Sequence, residues 1–256
     1  MTRSVPPELL ARLRAARRIT ALTGSGVSAE SGIPTFRDAL TGLWSRFRPE
    51  ELATPEAFAR NPRLVWDWYA ARRAAVRAAA PNAGHRALAR LQILVPHFTL
   101  ITQNVDGLHQ RAGSRDVIEL HGSIARVRCA REGTIVERWS QGDDVPRCAS
   151  CGAFLRPDVV WFGEMLPQAA TEAAVAAARA CDLFLSVGTS NLVQPAASLP
   201  WLAAAHGATV VVVNPSMEGQ PEGPGIFRLT GPAGEILPRL VQALEPGAPA
   251  VPRSPG

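Results

Sequence analysis

The sequence contains no lysine, so guanidinium groups carry the cationic charge of its side chains. Its 256 residues include 27 arginines against 22 acidic residues, which gives a formal net charge of +5. The arginines are scattered among acids with no run of five, which argues against specific nucleic-acid binding. The 4 cysteines are too few for a disulfide-stabilised scaffold in a chain of this length, and their spacing is more typical of metal ligands.

Long apolar runs are also missing. No uncharged apolar stretch reaches the roughly 18 residues that a membrane-spanning helix needs, so we expect no membrane association. The first residues hold no apolar segment of a secretory signal, and we expect a cytoplasmic protein. The hydrophobic fraction of 46% and charged fraction of 19% exclude a disordered, collagen-like or coiled-coil chain.

Strand-like and helix-like segments alternate along the chain, which predicts an α/β fold with a Rossmann-like, mostly parallel sheet. The run of four valines at 210–213 is apolar on both faces, as expected of a central parallel strand covered by helices. The predicted strands are 19–23, 98–101, 117–120, 183–187 and 209–213. The predicted helices lie near 7–17, 84–92, 170–180, 196–205 and 234–244.

Two segments interrupt this alternation and predict a smaller inserted module. Residues 38–83 resemble helices with several aromatic side chains, and residues 126–158 form a turn-rich, charged segment with three cysteines. We expect a helical plus zinc-ribbon-like module from these two segments, inserted into one domain over 1–245. The larger part then comprises 1–37, 84–125 and 159–245, and 246–256 is a tail rich in proline and glycine.

A glycine-rich motif follows the first predicted strand directly. Residues 24–29, G-S-G-V-S-A, fit the dinucleotide pattern G-x-G-x-x-[GA], in which glycines let the backbone approach a pyrophosphate. The acidic residue expected about 20 positions later to bind a ribose is not in an obvious place. A glycine-rich turn without a ligand therefore stays open on this motif alone.

Several longer motifs follow in a characteristic order. They are A-E-S-G-I-P-T-F-R-D at 29–38, T-Q-N-V-D-G-L-H at 102–109, L-H-G-S at 120–123, V-W-F-G-E at 160–164, G-T-S at 188–190 and G-P-A-G-E at 231–235. Together they resemble the sirtuins, the NAD-dependent protein lysine deacylases, from about residue 10 to 244. The resemblance implies NAD as co-substrate and acylated-lysine proteins or peptides as partners.

The resemblance also implies which residues bind NAD. The pyrophosphate and nicotinamide end would contact Gly24, Ser25, Gly26, Glu30, Pro34, Phe36 and Arg37. The ribose and carboxamide would contact Gln103, Asn104, Val105 and Asp106, and the remaining positions are Gly188, Thr189, Ser190, Asn214, Pro215, Ser216 and Ala233. Two alternatives remain from the residues alone, since Glu30 could cap a helix and residues 104–107 could form a simple turn.

His121 is the general base that the resemblance implies, with Asn104 as a second catalytic residue. An imidazole has a reference pKa of about 6.5 and accepts a proton near neutral pH. In the family, the acyl oxygen attacks the ribose carbon of NAD and releases nicotinamide. The base then activates a ribose hydroxyl, and water yields O-acyl-ADP-ribose and free lysine. We interpret His85 and His109 as packing residues or partners of buried polar groups.

The acyl preference is predicted from Tyr69 and Arg72. Positions i and i+3 share one helix face, and a phenol beside a guanidinium forms a carboxylate receptor. The sirtuin subgroup that removes succinyl and malonyl groups carries this pair, so we expect those activities with acetyl beside them. The alternative is a packed tyrosine and a surface arginine on an amphipathic helix. Val160, Trp161 and Phe162 are predicted to present backbone groups to an extended peptide.

The metal site expected in the family departs from its usual four cysteines. Cys129, Cys148 and Cys151 keep the spacing, but Glu132 occupies the fourth position. Structural zinc sites are mostly built from cysteine and histidine, although zinc also accepts carboxylate oxygen. Two interpretations follow: zinc bound by three cysteines with Glu132 or water, or a module that has lost its metal.

The leading prediction is an NAD-dependent protein lysine deacylase, and we expect a monomer. The alternatives are a mono-ADP-ribosyltransferase of the same fold and a non-catalytic NAD-sensing module. The absence of lysine adds one consequence for a deacylase. No side chain of this protein can carry the modification that the enzyme is expected to remove.

Overall fold

The computed structural model describes residues 5–34, 49–139 and 144–245. The strands in this part of the chain are β1 (Arg18–Thr23), β2 (His97–Thr102), β3 (Ile118–Glu119), β4 (Gly122–Cys129), β5 (Ile135–Val136), β6 (Leu155–Val159), β7 (Leu183–Val187), β8 (Thr209–Asn214) and β9 (Ile226–Thr230). The helices are α1 (Pro7–Ala15), α2 (Gly26–Ala29), α3 (Pro49–Leu52), α4 (Pro55–Arg60), α5 (Pro62–Ala78), α6 (Ala83–Leu94), α7 (Leu108–Arg111), α8 (Gln168–Ala180), α9 (Leu199–Ala205) and α10 (Ala233–Leu244).

Six strands form one parallel sheet in the order β3-β2-β1-β7-β8-β9. The strand order reverses between β1 and β7, and in open parallel sheets ligands bind in the crevice at the carboxyl ends beside such a reversal. The predicted α/β fold with a Rossmann-like sheet is confirmed. A separate antiparallel sheet, β5-β4-β6, forms the smaller module.

Both faces of the large sheet are covered by helices, which explains the run of valines in β8. Val211 and Val213 belong to the apolar layer formed with α1, α6 and α10. Val210 and Val212 lie in the opposite layer with α8 and α9. Because successive side chains of a strand point to opposite faces, a strand buried on both faces is apolar at every position.

The smaller module has its own apolar core. Val65, Trp68 and Tyr69 of α5 pack with Ile124 and Val127 of β4 in a cluster that also contains two of the cysteines. The strands β4 and β6 pair from Gly122 opposite Val159 to Cys129 opposite Leu155. This sheet therefore begins directly after the end of β3 and lies next to the carboxyl edge of the large sheet.

The structure differs from the predicted elements in several places. The strands β4, β5, β6 and β9 were not predicted, and β3 is two residues long instead of four. The helix predicted at 7–17 ends at Ala15, and that predicted at 196–205 begins with a 3-10 turn before α9. Among the described helices, none is both long and apolar enough to cross a bilayer. The tail beyond residue 245 lies outside the described residues.

Candidate active site

The glycines of the first motif allow two loops to touch at the strand-order reversal. The Gly26 N–H donates to the Gly188 carbonyl at 2.8 Å, and the Gly24 N–H donates to the Val187 carbonyl at 3.0 Å. A Cβ on Gly26 would lie 2.7 Å from the Gly188 oxygen, and one on Gly188 would lie 2.5 Å from the Val27 nitrogen. From the sequence, these glycines are expected to let the backbone approach a pyrophosphate. In the structure, they let the loops after β1 and β7 come into backbone contact.

Asn104 and Asp106 meet the first motif through Ser28. The Asn104 amide donates to the Gly24 carbonyl at 3.0 Å and to Ser28 Oγ at 3.2 Å. Ser28 Oγ donates to Asp106 Oδ2 at 2.7 Å, while Asp106 Oδ1 accepts from the Leu108 N–H. Ser28 was missed by the sequence reasoning, although it lies inside the motif that was identified. Its buried hydroxyl links the loop after β1 to the loop after β2.

A second set of polar side chains converges on Thr189, just after β7. Gln103 donates to Thr189 Oγ1, and Asn214 and Gln220 each donate to the Thr189 carbonyl, all at 3.0 Å. The structure thus brings Gln103, Thr189 and Asn214 together, as the resemblance implies. Gln220 was not singled out from the sequence. The Asn191 Oδ1 atom is buried beside this set without a hydrogen-bond partner among the described residues.

The other predicted NAD residues are more dispersed. Glu30 Oε2 accepts from the Gly234 N–H at 2.7 Å, so it caps the beginning of α10, next to Ala233. From the sequence, Glu30 was expected to cap the helix that directly follows it. It instead caps a helix that is remote in sequence, since Gly234 lies 204 positions after Glu30. Ser25, Val105 and Ser190 are half-buried in the loops, whereas Pro34, Pro215 and Ser216 are exposed. Phe36 and Arg37 lie outside the described residues.

His121 lies between β3 and β4 with its tautomer fixed by the backbone. Its Nδ1 is 2.9 Å from the carbonyl oxygen of Gln103, so Nδ1 carries the proton and donates it. The Nε2 lone pair is therefore left to accept a proton. Burial lowers the pKa of His121, and the Gln103 hydrogen bond opposes that shift in part. A neutral imidazole near pH 7 is suited to general-base chemistry.

Two further histidines stack beneath this edge of the sheet. The rings of His85 and His109 are both fully buried, with centroids 4.8 Å apart. His109 Nε2 lies 2.8 Å from Thr23 Oγ1, and His85 Nε2 lies 3.4 Å from Ser28 Oγ. Burial lowers the pKa of His85 to about 4 and that of His109 to about 3. They pack and satisfy polar groups, consistent with the interpretation of the sequence.

Tyr69 and Arg72 lie one turn apart on α5, in the core of the smaller module. Tyr69 is buried, and its hydroxyl oxygen accepts from Trp161 Nε1 at 2.9 Å. The Arg72 guanidinium lies 4.9 Å from the centre of the Trp68 ring, and Trp68 in turn packs edge-on against Tyr69 at 4.6 Å. The Arg72 charge acts on Tyr69 by lowering its pKa, against the larger effect of burial. The phenol and the guanidinium are therefore electrostatic neighbours.

The segment predicted to hold a peptide is engaged within the chain. The N–H groups of Val160, Trp161 and Phe162 donate to the His121 carbonyl, to Glu164 Oε2 and to the Ala53 carbonyl, respectively. These three N–H groups are therefore already used within the chain. An extended peptide that pairs with this segment would have to bind its other backbone groups. The Trp161 side chain is buried, while that of Phe162 is 43% exposed.

The four predicted metal ligands converge in the smaller module. The ligand atoms of Cys129, Glu132, Cys148 and Cys151 all lie within 4.8 Å of one another. Cys129 Sγ and Cys151 Sγ are 3.5 Å apart, near the roughly 3.8 Å that two thiolates show around tetrahedral zinc. The Glu132 N–H points to Cys129 Sγ at 3.4 Å, a contact that stabilises a thiolate. The residues present therefore fit zinc. Cys181 is buried in a different apolar cluster, behind β7.

Comparison with known proteins gives consistent matches over nearly the whole chain. A model of the Sir2 family matches residues 24–195. An NAD-dependent protein deacylase of Methylococcus capsulatus is 54% identical over 94% of this chain and 98% of its own length. NAD-dependent protein deacylase 1 of Pseudomonas aeruginosa is 53% identical over 92% of this chain and 97% of its own. The crystal structure of a Sir2 homologue–NAD complex superposes with a TM-score of 0.85 at 46% identity, covering 94% of both chains.

Proposed function

Because the chain belongs to the Sir2 family of NAD-dependent protein deacylases, we propose that it removes negatively charged acyl groups, succinyl and malonyl, from lysine side chains. The deacylase activity and the use of NAD follow from membership of this family, whereas the acyl preference is the proposal. The observation that carries the acyl preference is the pair formed by Tyr69 and Arg72 on one face of α5. A guanidinium and a phenol can bind one carboxylate through charge-assisted hydrogen bonds.

The acyl receptor would lie next to the general base. The Val160 N–H binds the His121 carbonyl at 3.0 Å, and the following residue, Trp161, binds the Tyr69 hydroxyl through its indole. One short segment thus connects the backbone of His121 to the phenol. A substrate lysine near His121 would extend its acyl chain in the direction of Tyr69 and Arg72. The acyl group length therefore decides whether a terminal carboxylate reaches the pair.

When bound, NAD supplies the ribose carbon that takes up the acyl oxygen. We propose that His121 Nε2 accepts a proton from a ribose hydroxyl, since Nδ1 is committed to the Gln103 carbonyl. Asn104, held by Gly24 and Ser28, would orient the nicotinamide end from the loop after β2. Asn191 Oδ1, which has no partner among the described residues, and the groups around Thr189 would offer acceptors and donors for the remaining hydroxyls. Zinc held by Cys129, Glu132, Cys148 and Cys151 would have a structural role, because Cys129 ends β4 whereas His121 precedes the start of that strand.

The test compares succinyl-lysine and acetyl-lysine peptides of one sequence. We expect Arg72→Met to lower the succinyl-to-acetyl ratio of kcat/KM by about tenfold or more, since a hydrogen bond to a charged group contributes about 1.5–3 kcal/mol. Arg77→Met is the matched control, because Arg77 is an exposed arginine on the same helix. An unchanged ratio in Arg72→Met would exclude the receptor. Transfer of ADP-ribose to protein, without free lysine, would favour the transferase alternative.

A further inference from the structure

We propose that the indole of Trp161 sets the direction of the Tyr69 hydroxyl proton and is thereby a positioning residue for selection of negatively charged acyl groups. The inference rests on the proposed receptor function of Tyr69 and Arg72. It assigns to the Trp161 side chain a role distinct from the peptide contact predicted for its backbone.

The direction of the hydrogen bond follows from the chemistry of the two side chains. An indole nitrogen is only a donor, so at 2.9 Å the Tyr69 oxygen must accept from Trp161 Nε1. A phenol has one proton, and this proton then points away from the indole. Without this bond the hydroxyl would be free to rotate and to present a lone pair to an approaching carboxylate, which is repulsive.

The Tyr69 proton has no acceptor within hydrogen-bonding distance among residues 5–34, 49–139 and 144–245. Tyr69 is only 3% exposed, so water does not readily supply the missing acceptor. A buried donor without a partner is uncommon in proteins and indicates a ligand that brings the acceptor. Burial also raises the pKa of Tyr69 to about 12, so the hydroxyl keeps its proton over the working pH range. A terminal carboxylate beside Arg72 supplies the acceptor oxygen.

Trp161 is held rigidly enough to act as this fixed donor. Its backbone N–H donates to Glu164 Oε2 at 2.8 Å, and the guanidinium of Arg156 lies over its ring at 3.3 Å from the centroid. Arg156 is itself bound to both carboxylate oxygens of Glu164, and the Phe58 ring packs 5.3 Å from the indole. The Arg156–Glu164 ion pair thus contacts Trp161 twice, with the guanidinium on the face of the indole and the carboxylate on the backbone N–H.

The first experiment replaces the donor and keeps an aromatic ring. We expect Trp161→Phe to lower the succinyl-to-acetyl ratio of kcat/KM about fivefold, mainly through a higher KM for the succinyl peptide, because the bond acts on substrate binding. Trp68→Phe is the matched control. Trp68 packs against the same tyrosine, and its Nε1 has no hydrogen-bond partner in the part of the chain that the structure describes. Phenylalanine at this position keeps a ring beneath the Arg72 guanidinium.

A double-mutant cycle separates orientation from packing. In the Tyr69→Phe background, Trp161→Phe should cause no further fall in the ratio, because no hydroxyl remains to be oriented. Two outcomes overturn the inference alone: an unchanged ratio in Trp161→Phe while Tyr69→Phe and Arg72→Met lower it, or additive effects in the double variant. An unchanged ratio in both Tyr69→Phe and Arg72→Met overturns the receptor itself, and the inference with it.

A spectroscopic measurement covers the case in which Trp161→Phe does not fold. Of the 6 tryptophans, one indole N–H should change its NMR chemical shift and exchange faster with solvent in Tyr69→Phe than in the parent protein. Both spectra are recorded on the free enzyme, so the measurement does not depend on binding of a succinyl-lysine peptide. If no indole N–H signal responds to Tyr69→Phe, the hydrogen bond does not exist in solution and the inference is wrong.

Discussion

The two buried histidines predict a steep loss of stability in mild acid. His85 and His109 have reference pKa values of 6.5 and folded pKa values of about 4 and 3, because burial penalises the charged ring. The unfolded chain therefore binds protons at these rings first as the pH falls. Their stabilising contribution is complete above pH 6.5 and decreases from there down to the folded pKa values. The protein should therefore lose stability in a pH range where most carboxylates are still ionised.

The magnitude follows from the linkage of protonation and folding. Each ring lowers the free energy of unfolding by about 1.3 kcal/mol between about pH 7 and about pH 5.5. The two rings together lower it by about 2.5 kcal/mol, and His121, whose pKa is also lowered by burial, adds to the loss. The two rings lie 4.8 Å apart between centroids and are tilted by 55°, and both are buried, so neither can be protonated in the folded state without placing a charge in the protein interior. Within the described part of the chain His109 Nδ1 has no hydrogen-bond partner, so a second proton on this ring would have no acceptor there.

Urea unfolding followed at several pH values tests this reasoning. His109→Gln should reduce the loss between pH 7 and pH 5.5 by about 1.3 kcal/mol, whatever its effect on stability at pH 7. His97→Gln is the matched control, since His97 is exposed at the start of β2. If His109→Gln loses stability with pH as steeply as the parent protein does, His109 is not buried in its neutral form and the argument is wrong.

Two further predictions concern the metal ligands and the general base. Glu132→Cys should bind zinc at least about tenfold more tightly than the parent protein, because a fourth thiolate replaces a carboxylate in the cluster. Competition with a chromophoric chelator measures this affinity, and equal affinities would contradict the expected gain from a fourth thiolate at position 132. For His121, burial lowers the pKa, so the acid limb of kcat/KM should have its midpoint below the reference value of 6.5. If the acid limb of kcat/KM instead has its midpoint at or above 6.5, and has the same midpoint in His109→Gln, the general base is a group other than His121.

The large sheet could be predicted because each of its central strands is a short run of apolar residues that is visible in the sequence by itself. The β8 strand holds four consecutive buried valines, and β7 was predicted with the bounds that the structure shows. The strands β4 and β6 carry charges instead, and their partners are remote in sequence. Arg126 pairs with Glu119 at 2.6 Å and with Asp158 at 2.8 Å, so charges that suggest a solvated loop lie across neighbouring strands. No local pattern shows that pairing.

The sequence proposes a set of residues for the site but none of the contacts among them. His121 could be chosen among five histidines only through the motif around it. Ser28 was passed over because its importance comes from Asn104 and Asp106, which lie 76 and 78 positions away. The Trp161–Tyr69 hydrogen bond likewise joins residues 92 positions apart. Spacing along one helix identified Tyr69 and Arg72, but not the indole that holds the phenol.

The contact between the loops at Gly26 and Gly188 has a consequence for binding entropy. Backbone hydrogen bonds donated by Gly24 and Gly26 to residues after β7 and at its end restrict this part of the loop from within the chain. If NAD binds at this loop, as proposed, the ligand would not have to order these residues alone, so less of its interaction energy would be lost to freezing the backbone. Any side chain at Gly188 would separate the two loops, and each binding event would then have to bring them back together.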